Sequence, residues 1–239
     1  MRHGICKLSV VPMRREASHT SELVSELLFN DIYEIIEDKD EWILIRCLYD
    51  TYEGWIRKLQ HHELSDEEFN EYLKKDKYII NTAIASYRNM ILSFGSKVFE
   101  KTENAIILRK DFDCNIMVES AIKMLDVPYR WGGKSAMGID CSAFVQLCAK
   151  VAGYKLPRDA YQQAQCGELV YYIVEAQAGD LAFFKNENEK ITHVGIMLSN
   201  DKIIHASGKV RIDTIDQTGI FNKESERHTH ILSCIKRIR

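Results

Sequence analysis

A chain of 239 residues is long enough to bury a substantial core without disulfide or metal staples. Its 32 basic and 35 acidic residues leave a formal charge of -3, which carries no overall signature of a nucleic-acid binder or a polybasic membrane anchor. No apolar run approaches the roughly 20 residues of a membrane span, and "MRHGICKLSVVPMRR" lacks the apolar block of a secretory signal. The expectation is therefore a cytoplasmic protein, or a periplasmic or secreted one if the chain is a processed form. The seven cysteines are odd in number and scattered among apolar residues, as reduced thiols are, and form no C-x-x-C pair. "RHTH", with His228 and His230, has no cysteine or acid beside it at metal-ligand spacing, so neither a metal nor another cofactor is expected.

Taken in chain order, residues 1–60 offer "LLFNDIYEIIEDKD", "EWILIRCLY" and "EGWIRKL", short runs rich in Ile, Leu, Tyr and Trp, separated by acidic or glycine turns. They predict a small all-β barrel. Residues 61–110 follow as a linker helix and a second small barrel or its remnant. Ser65 with Glu68 forms a capping box ahead of Phe69, Tyr72 and Leu73, and "MILSFGSKVF" and "NAIILRK" are strand-like.

Residues 111–239 change pattern and predict one α+β domain. "NIMVESAIKMLDV" sets Ile116, Ala121, Ile122 and Leu125 near one helical face, with Pro128 ending the helix. "CSAFVQLCAKVAG" makes a second helix closed by Gly153. "LPRDAYQQA" enters a further helix, and "DLAFFK", "THVGIML" and "KIIHAS" are strands.

Chemistry concentrates at "GIDCSAF". Asp140 is an N-cap candidate, which sets Cys141 in the first helical turn, where unpaired N–H groups and the macrodipole favour a thiolate. On this stretch alone, Cys141 is either a nucleophile or a small buried apolar residue. A nucleophile needs a base, and His193 in "THVGIML" faces away from the apolar positions Val194, Ile196 and Leu198. His205 lies in the next strand, and the turn decides whether the two meet. A two-residue loop separates the histidines onto opposite faces. A loop of Ser199, Asn200 and Asp201 pairs Leu198 with Lys202 and makes them diagonal neighbours on one face. His205 could then orient His193 as the third member of a triad.

"YRWGGKSAMGIDCSAFVQLC", "LPRDAYQQ", "GDLAFFK", "THVGIML" and "KIIHAS", in this order and spacing, resemble the NlpC-type cell-wall cysteine peptidases over roughly residues 112–239. The resemblance implies a papain-like α+β catalytic domain with Cys141 as nucleophile, His193 as general base and His205 as orienting residue. It also implies Tyr129 as a hydroxyl beside the oxyanion or nucleophile, although a packed aromatic role stays open for it. "SVVPMRREASHTSELVSELLF" followed by "YEGWI" is similar to the bacterial SH3-like barrels of a subgroup resembling dipeptidyl-peptidase VI. That likeness implies a small muropeptide partner and cleavage between γ-D-glutamate and a diamino acid, in stems with a free N-terminal L-alanine, as in murein recycling. Neither a nucleic acid nor a membrane is an expected partner, and the oligomeric state is left open.

A buried ammonium requires carboxylate or hydroxyl partners. By resemblance, Asp140, Ser142, Trp131, Arg158 and Asp159 supply that pocket, with Glu22 and Tyr52 as barrel contributors or ordinary surface residues. Ala160 stands where the family has serine, which removes one hydroxyl from the pocket. Ala143 stands where glycine is common and suits a helix. A muropeptide-binding protein that does not cut, or an acyltransferase using the same thiol, are the alternatives.

Overall fold

The computed structural model describes residues 2–239. The chain forms two compact units, one of Met1–Leu108 with Arg130–Ile139 and one of Arg109–Tyr129 with Asp140–Arg239. The sequence had suggested one crossing near residue 110; the excursion through Arg130–Ile139 is the difference.

In the first unit, antiparallel strands lie in the order Leu23–Leu28, Val10–Arg14, Glu53–Arg57, Trp42–Cys47, Ile32–Lys39, His3–Ile5 and Glu63–Leu64. Alternation decides what is buried: Ile43, Ile45 and Cys47 point inward with Val11, Met13, Leu27, Tyr33 and Ile56. The run "LLFNDIYEIIEDKD" is two strands rather than one, because Asn30 adopts φ 62° and Asp31 Oδ2 accepts the Leu28 N–H at 3.0 Å. The helix Asp66–Lys74 begins at the expected capping box, with the Ser65 N–H donating to Glu68 Oε2 at 2.8 Å and the Glu68 N–H to Ser65 Oγ at 3.2 Å.

Tyr78–Ile80, flanked by Lys97–Val98 and Ala105–Ile107, and the hairpin Ile84–Tyr87 with Met90–Ser93 make a second small β cluster. It shares Phe29 with the barrel, and a buried Lys97–Asp31 ion pair of 3.0 Å ties the two together. Arg130–Ile139 is held to the same unit. The Lys134 N–H donates to Glu26 Oε2 at 2.8 Å and the Ala136 N–H to Ser93 Oγ at 2.7 Å. Gly132 has φ +72°, and a Cβ there would lie 2.0 Å from the Leu23 carbonyl oxygen, so only glycine fits.

In the second unit the helix Cys114–Ile122 is capped by the Asp113 carboxylate. Its buried residues are Met117, Ser120 and Ala121, followed by Met124, while Ile122 and Leu125 are exposed. Of the expected stripe Ile116, Ala121, Ile122 and Leu125, Ala121 is buried, but the buried face runs through Met117, Ala121 and Met124 in place of Ile122 and Leu125. The helix ends at Ile122, well before Pro128, and Asp126 then takes φ 65°. The helix Cys141–Val151 is buried throughout, as its apolar composition requires, and Gly153 at φ +93° closes it. The short helix Ala160–Gln163 follows.

The sheet runs Glu168–Val170, Arg227–Arg237, Leu181–Lys185, Ile191–Met197, Lys202–Ser207, Lys209–Ile215 and Gly219–Asn222. Gly219–Asn222 pairs back onto Arg227–Arg237, so all but the first strand close into a ring. Three of these strands were expected; those after Ser207 and Glu168–Val170 were not. Leu181, Phe183, Val194, Ile196 and Ile204 occupy one face, and Ala182, Phe184, Met197, Ile203 and Ile215 the other.

Candidate active site

Asp140, in extended conformation, accepts the Ala143 N–H at 2.8 Å and starts the helix Cys141–Val151, which sets Cys141 in its first turn. The backbone N–H of Cys141 has no intrahelical acceptor at that position. The thiol lies against the strand that bears the histidines. Its sulfur is 4.0 Å from the Thr192 carbonyl oxygen and feels the Val194 N–H, so it is bracketed by the two neighbours of His193.

The turn between the histidine strands takes the longer form. Gly195 is opposite His205 and Ile196 opposite Ile204, and the Leu198 N–H donates to the Lys202 carbonyl at 2.8 Å. Both imidazoles therefore share a face, with His193 Nε2 2.8 Å from His205 Nδ1. Gly195 makes this possible, since a Cβ at that position would lie 2.8 Å from the His205 Cβ. The chain of bonds continues: His205 Nε2 is 3.0 Å from Asp213 Oδ2. Arg211 grips the same carboxylate with Nε at 2.7 Å and Nη2 at 2.9 Å. His230 stacks on His193 with centroids 4.1 Å apart.

Asp213 and Arg211 were not singled out from the sequence, and His230 entered there only as part of "RHTH", set aside as a metal site. They arrive on strands that the sequence reading did not identify, and only the alternation of "VRID" and "HTH" hinted at them. Among the described residues, no cluster of three or more His, Cys, Asp or Glu side chains is arranged to hold a metal ion.

The electrostatics differ from the expected depression of the thiol. Burial, and then the neighbouring Asp140, pushes Cys141 up to about 12; at 6% exposure the lost hydration outweighs the helix terminus. Burial, followed by the His205 and His230 rings, holds His193 well below the ordinary histidine range. Both shifts favour an uncharged thiol and an uncharged imidazole at rest. Burial, then Cys141 and Asp140, pushes the half-buried Tyr129 hydroxyl up to about 12, which sets it within electrostatic reach of the thiol and keeps it a donor. Its backbone is anchored by the Tyr129 N–H to the Gly208 carbonyl at 2.9 Å.

The residues expected in the substrate pocket belong to both units. Arg158, 2% exposed, donates from Nη1 to Asp140 Oδ1 at 3.0 Å and from Nη2 to Asp140 Oδ2 at 2.6 Å, and also reaches Ser142 Oγ at 2.9 Å. Asp140, Ser142 and Arg158 thus form one buried knot behind the nucleophile, and Arg158 faces a protein carboxylate. Asp159, half-buried, starts the short helix, where its N–H donates to Gln162 Oε1 at 3.4 Å. Trp131 and Glu22 are joined in the first unit, Nε1 donating to Oε1 at 2.6 Å, and this bond, then Arg15, lowers the Glu22 carboxyl. Tyr52 packs against the barrel core of that unit. No helix is long and apolar enough to cross a membrane among the described residues.

Comparison with known proteins agrees with both halves. Residues 126–228 match the NlpC/P60 family and residues 13–60 the bacterial dipeptidyl-peptidase Sh3 domain. The gamma-D-glutamyl-L-lysine dipeptidyl-peptidase of Bacillus subtilis (strain 168) is 35% identical over 136 residues, covering 55% of this chain and 45% of that protein. Dipeptidyl-peptidase 6 of Lysinibacillus sphaericus is 24% identical over 241 residues, covering 82% of this chain and 86% of that one. The chain thus spans about half the length of the first relative, at 45%, and most of the second, at 86%. A crystal structure of an NlpC/P60 family protein from Bacillus cereus ATCC 10987 has the same fold, with a TM-score of 0.82 over 98% of this chain and 99% of that one at 16% identity. The chain accordingly carries an NlpC/P60 domain over residues 126–228, preceded by a bacterial dipeptidyl-peptidase Sh3 domain over residues 13–60.

Proposed function

We propose that the protein is a cysteine peptidase that hydrolyses the bond between γ-D-glutamate and a diamino acid in peptidoglycan stem peptides with a free N-terminal L-alanine, acting on small muropeptides in murein recycling. The observation that carries this reading is the bonded line from His193 through His205 to Asp213, beginning beside the Cys141 sulfur. The dipeptidyl-peptidase names of the two curated relatives support the bond class.

His193 takes the thiol proton as Cys141 sulfur attacks the γ-D-glutamyl carbonyl, so deprotonation and attack are coupled. The oxyanion is met by the Cys141 N–H and the Tyr129 hydroxyl. The imidazolium then protonates the leaving amine, and the acyl-enzyme is released by water that His193 activates. Asp140 is the group that meets the substrate's ammonium, and its pairing with Arg158 lowers the net charge it offers.

The test offers L-Ala-γ-D-Glu-diaminopimelate with its amine free or acetylated and identifies products by mass. The free form is expected to release L-Ala-γ-D-Glu, the acetylated form and the Cys141→Ala variant nothing. Equal cleavage of both removes the amine anchor; binding without cleavage replaces the peptidase by a binding protein. Transfer to an added amine acceptor in place of water identifies an acyltransferase.

A further inference from the structure

We propose that Asp213, clamped by Arg211, is a positioning residue that fixes the tautomers of His205 and His193, so that the basic nitrogen of His193 is the one turned to the Cys141 thiol. The inference rests on the peptidase reading for its consequence, but its content is a proton arrangement that can be observed without substrate.

The three side chains stand on three successive strands as diagonal neighbours. Gly195 is opposite His205, which makes His193 its diagonal, and His205 is opposite Arg211, which makes Asp213 its diagonal. This register explains why each step of the relay is a single hydrogen bond, 2.8 Å and then 3.0 Å long. The direction of every bond follows from its far end. Burial raises the Asp213 carboxyl, but the hydrogen bonds from His205 and Arg211 outweigh it and its pKa falls below the ordinary aspartate value. An ionised carboxylate only accepts, so His205 Nε2 must carry a proton and donate. In an uncharged ring, His205 Nδ1 is then a bare acceptor, and His193 Nε2, at 2.8 Å, must donate to it. The lone pair of the uncharged His193 ring is left on Nδ1, its only remaining nitrogen. There it receives the thiol proton: the S–H bond breaks, the Nδ1–H bond forms, and the sulfur keeps the electron pair it uses for attack.

Every reversed arrangement fails at the same atom. If His205 donated from Nδ1, whether as the other tautomer or doubly protonated, His193 Nε2 would accept and its proton would lie on Nδ1, leaving the uncharged ring no free basic nitrogen for the thiol. Arg211 matters here because its two hydrogen bonds supply positive charge to the Asp213 carboxylate and hold it as an acceptor. Its third nitrogen reaches Glu224 Oε2 at 3.3 Å, which steadies the fork. The other titratable ring packed on this pair is that of His230. His230 covers the flat face of His193 and places its own Nδ1 2.9 Å from Thr229 Oγ1, so it leaves the edge nitrogens of His193 to the relay.

The test is long-range proton–nitrogen NMR of the histidine rings in the 15N-labelled full chain at neutral pH. Wild type is expected to carry both His193 and His205 as Nε2–H tautomers. In Asp213→Asn, Arg211 takes the amide oxygen and the NH₂ faces His205 Nε2, so both rings switch to Nδ1–H. On the stem peptide, kcat is then expected to fall by about 10²–10⁴-fold, the weight of general-base catalysis, with KM little changed. Asp213→Glu, which restores an acceptor, is expected to return the Nε2–H pattern and part of kcat. A His193 Nδ1–H tautomer in wild type overturns the proposal, and this reading needs no variant to fold. So does a folded Asp213→Asn that keeps both Nε2–H tautomers, or one that switches them without loss of kcat. If wild type shows the expected tautomers but cleaves no stem peptide, it is the peptidase reading that fails.

Discussion

At the scale of single residues the site runs against a simple rule. A cysteine at a helix N-terminus is expected to ionise easily, yet burial and Asp140 push Cys141 up to about 12 while burial drives His193 the other way. The thiolate fraction therefore grows about tenfold for each pH unit below that value and has no plateau near neutrality. Iodoacetamide should alkylate Cys141 of the free protein slowly at neutral pH, with a rate still rising at pH 10; site-resolved mass spectrometry measures it. A plateau reached below pH 7 would mean a preformed thiolate–imidazolium pair. The nucleophile and its two histidines were legible because each sits in a patterned stretch: an N-cap before an apolar helix, and alternating strands joined by a turn of two readings. Asp213 and His230 were not, because their neighbours are fixed by long-range pairing. His230 reaches the site through an irregular register between Ile220 and Phe221, which no local pattern encodes.

Elements show the same division between local and distant causes. The capping box at Ser65 and the Asp140 cap were readable from adjacent residues, whereas the face buried by Cys114–Ile122 was settled by what packs on it. The start of the nucleophile helix is also more than a cap, because Asp140 pairs with the buried Arg158 through two hydrogen bonds. Removing one partner of such a pair leaves a desolvated charge, while replacing both by uncharged groups removes the problem together with the pair. Arg158→Met is expected to destabilise the protein by about 3–5 kcal/mol. The double variant Asp140→Ser with Arg158→Met keeps a capping oxygen and should recover much of that loss. Urea denaturation measures both; a double variant less stable than Arg158→Met would show that the carboxylate contributes mainly through other contacts.

Over the whole molecule, the covalent path links two units that the sequence would have left as beads on a string. The chain leaves the second unit after Tyr129, runs through Arg130–Ile139 in the first, and returns at Asp140, immediately before the nucleophile. Within the first unit that excursion is held by Trp131 on Glu22, Lys134 on Glu26 and Asp50, and Ala136 on Ser93. Unfolding the first unit therefore frees both ends of a segment that leads into Tyr129 and the Asp140 cap, so the loss should propagate to the second. The two units carry separate reporters. Trp42, Trp55 and Trp131 all belong to the first, and the fully buried Cys148 belongs to the second. Tryptophan fluorescence and pulse alkylation of Cys148, followed across a urea gradient, are expected to give coincident transitions, the signature of one cooperative unit. Two separated midpoints would mean that the threaded segment yields without taking the nucleophile helix with it.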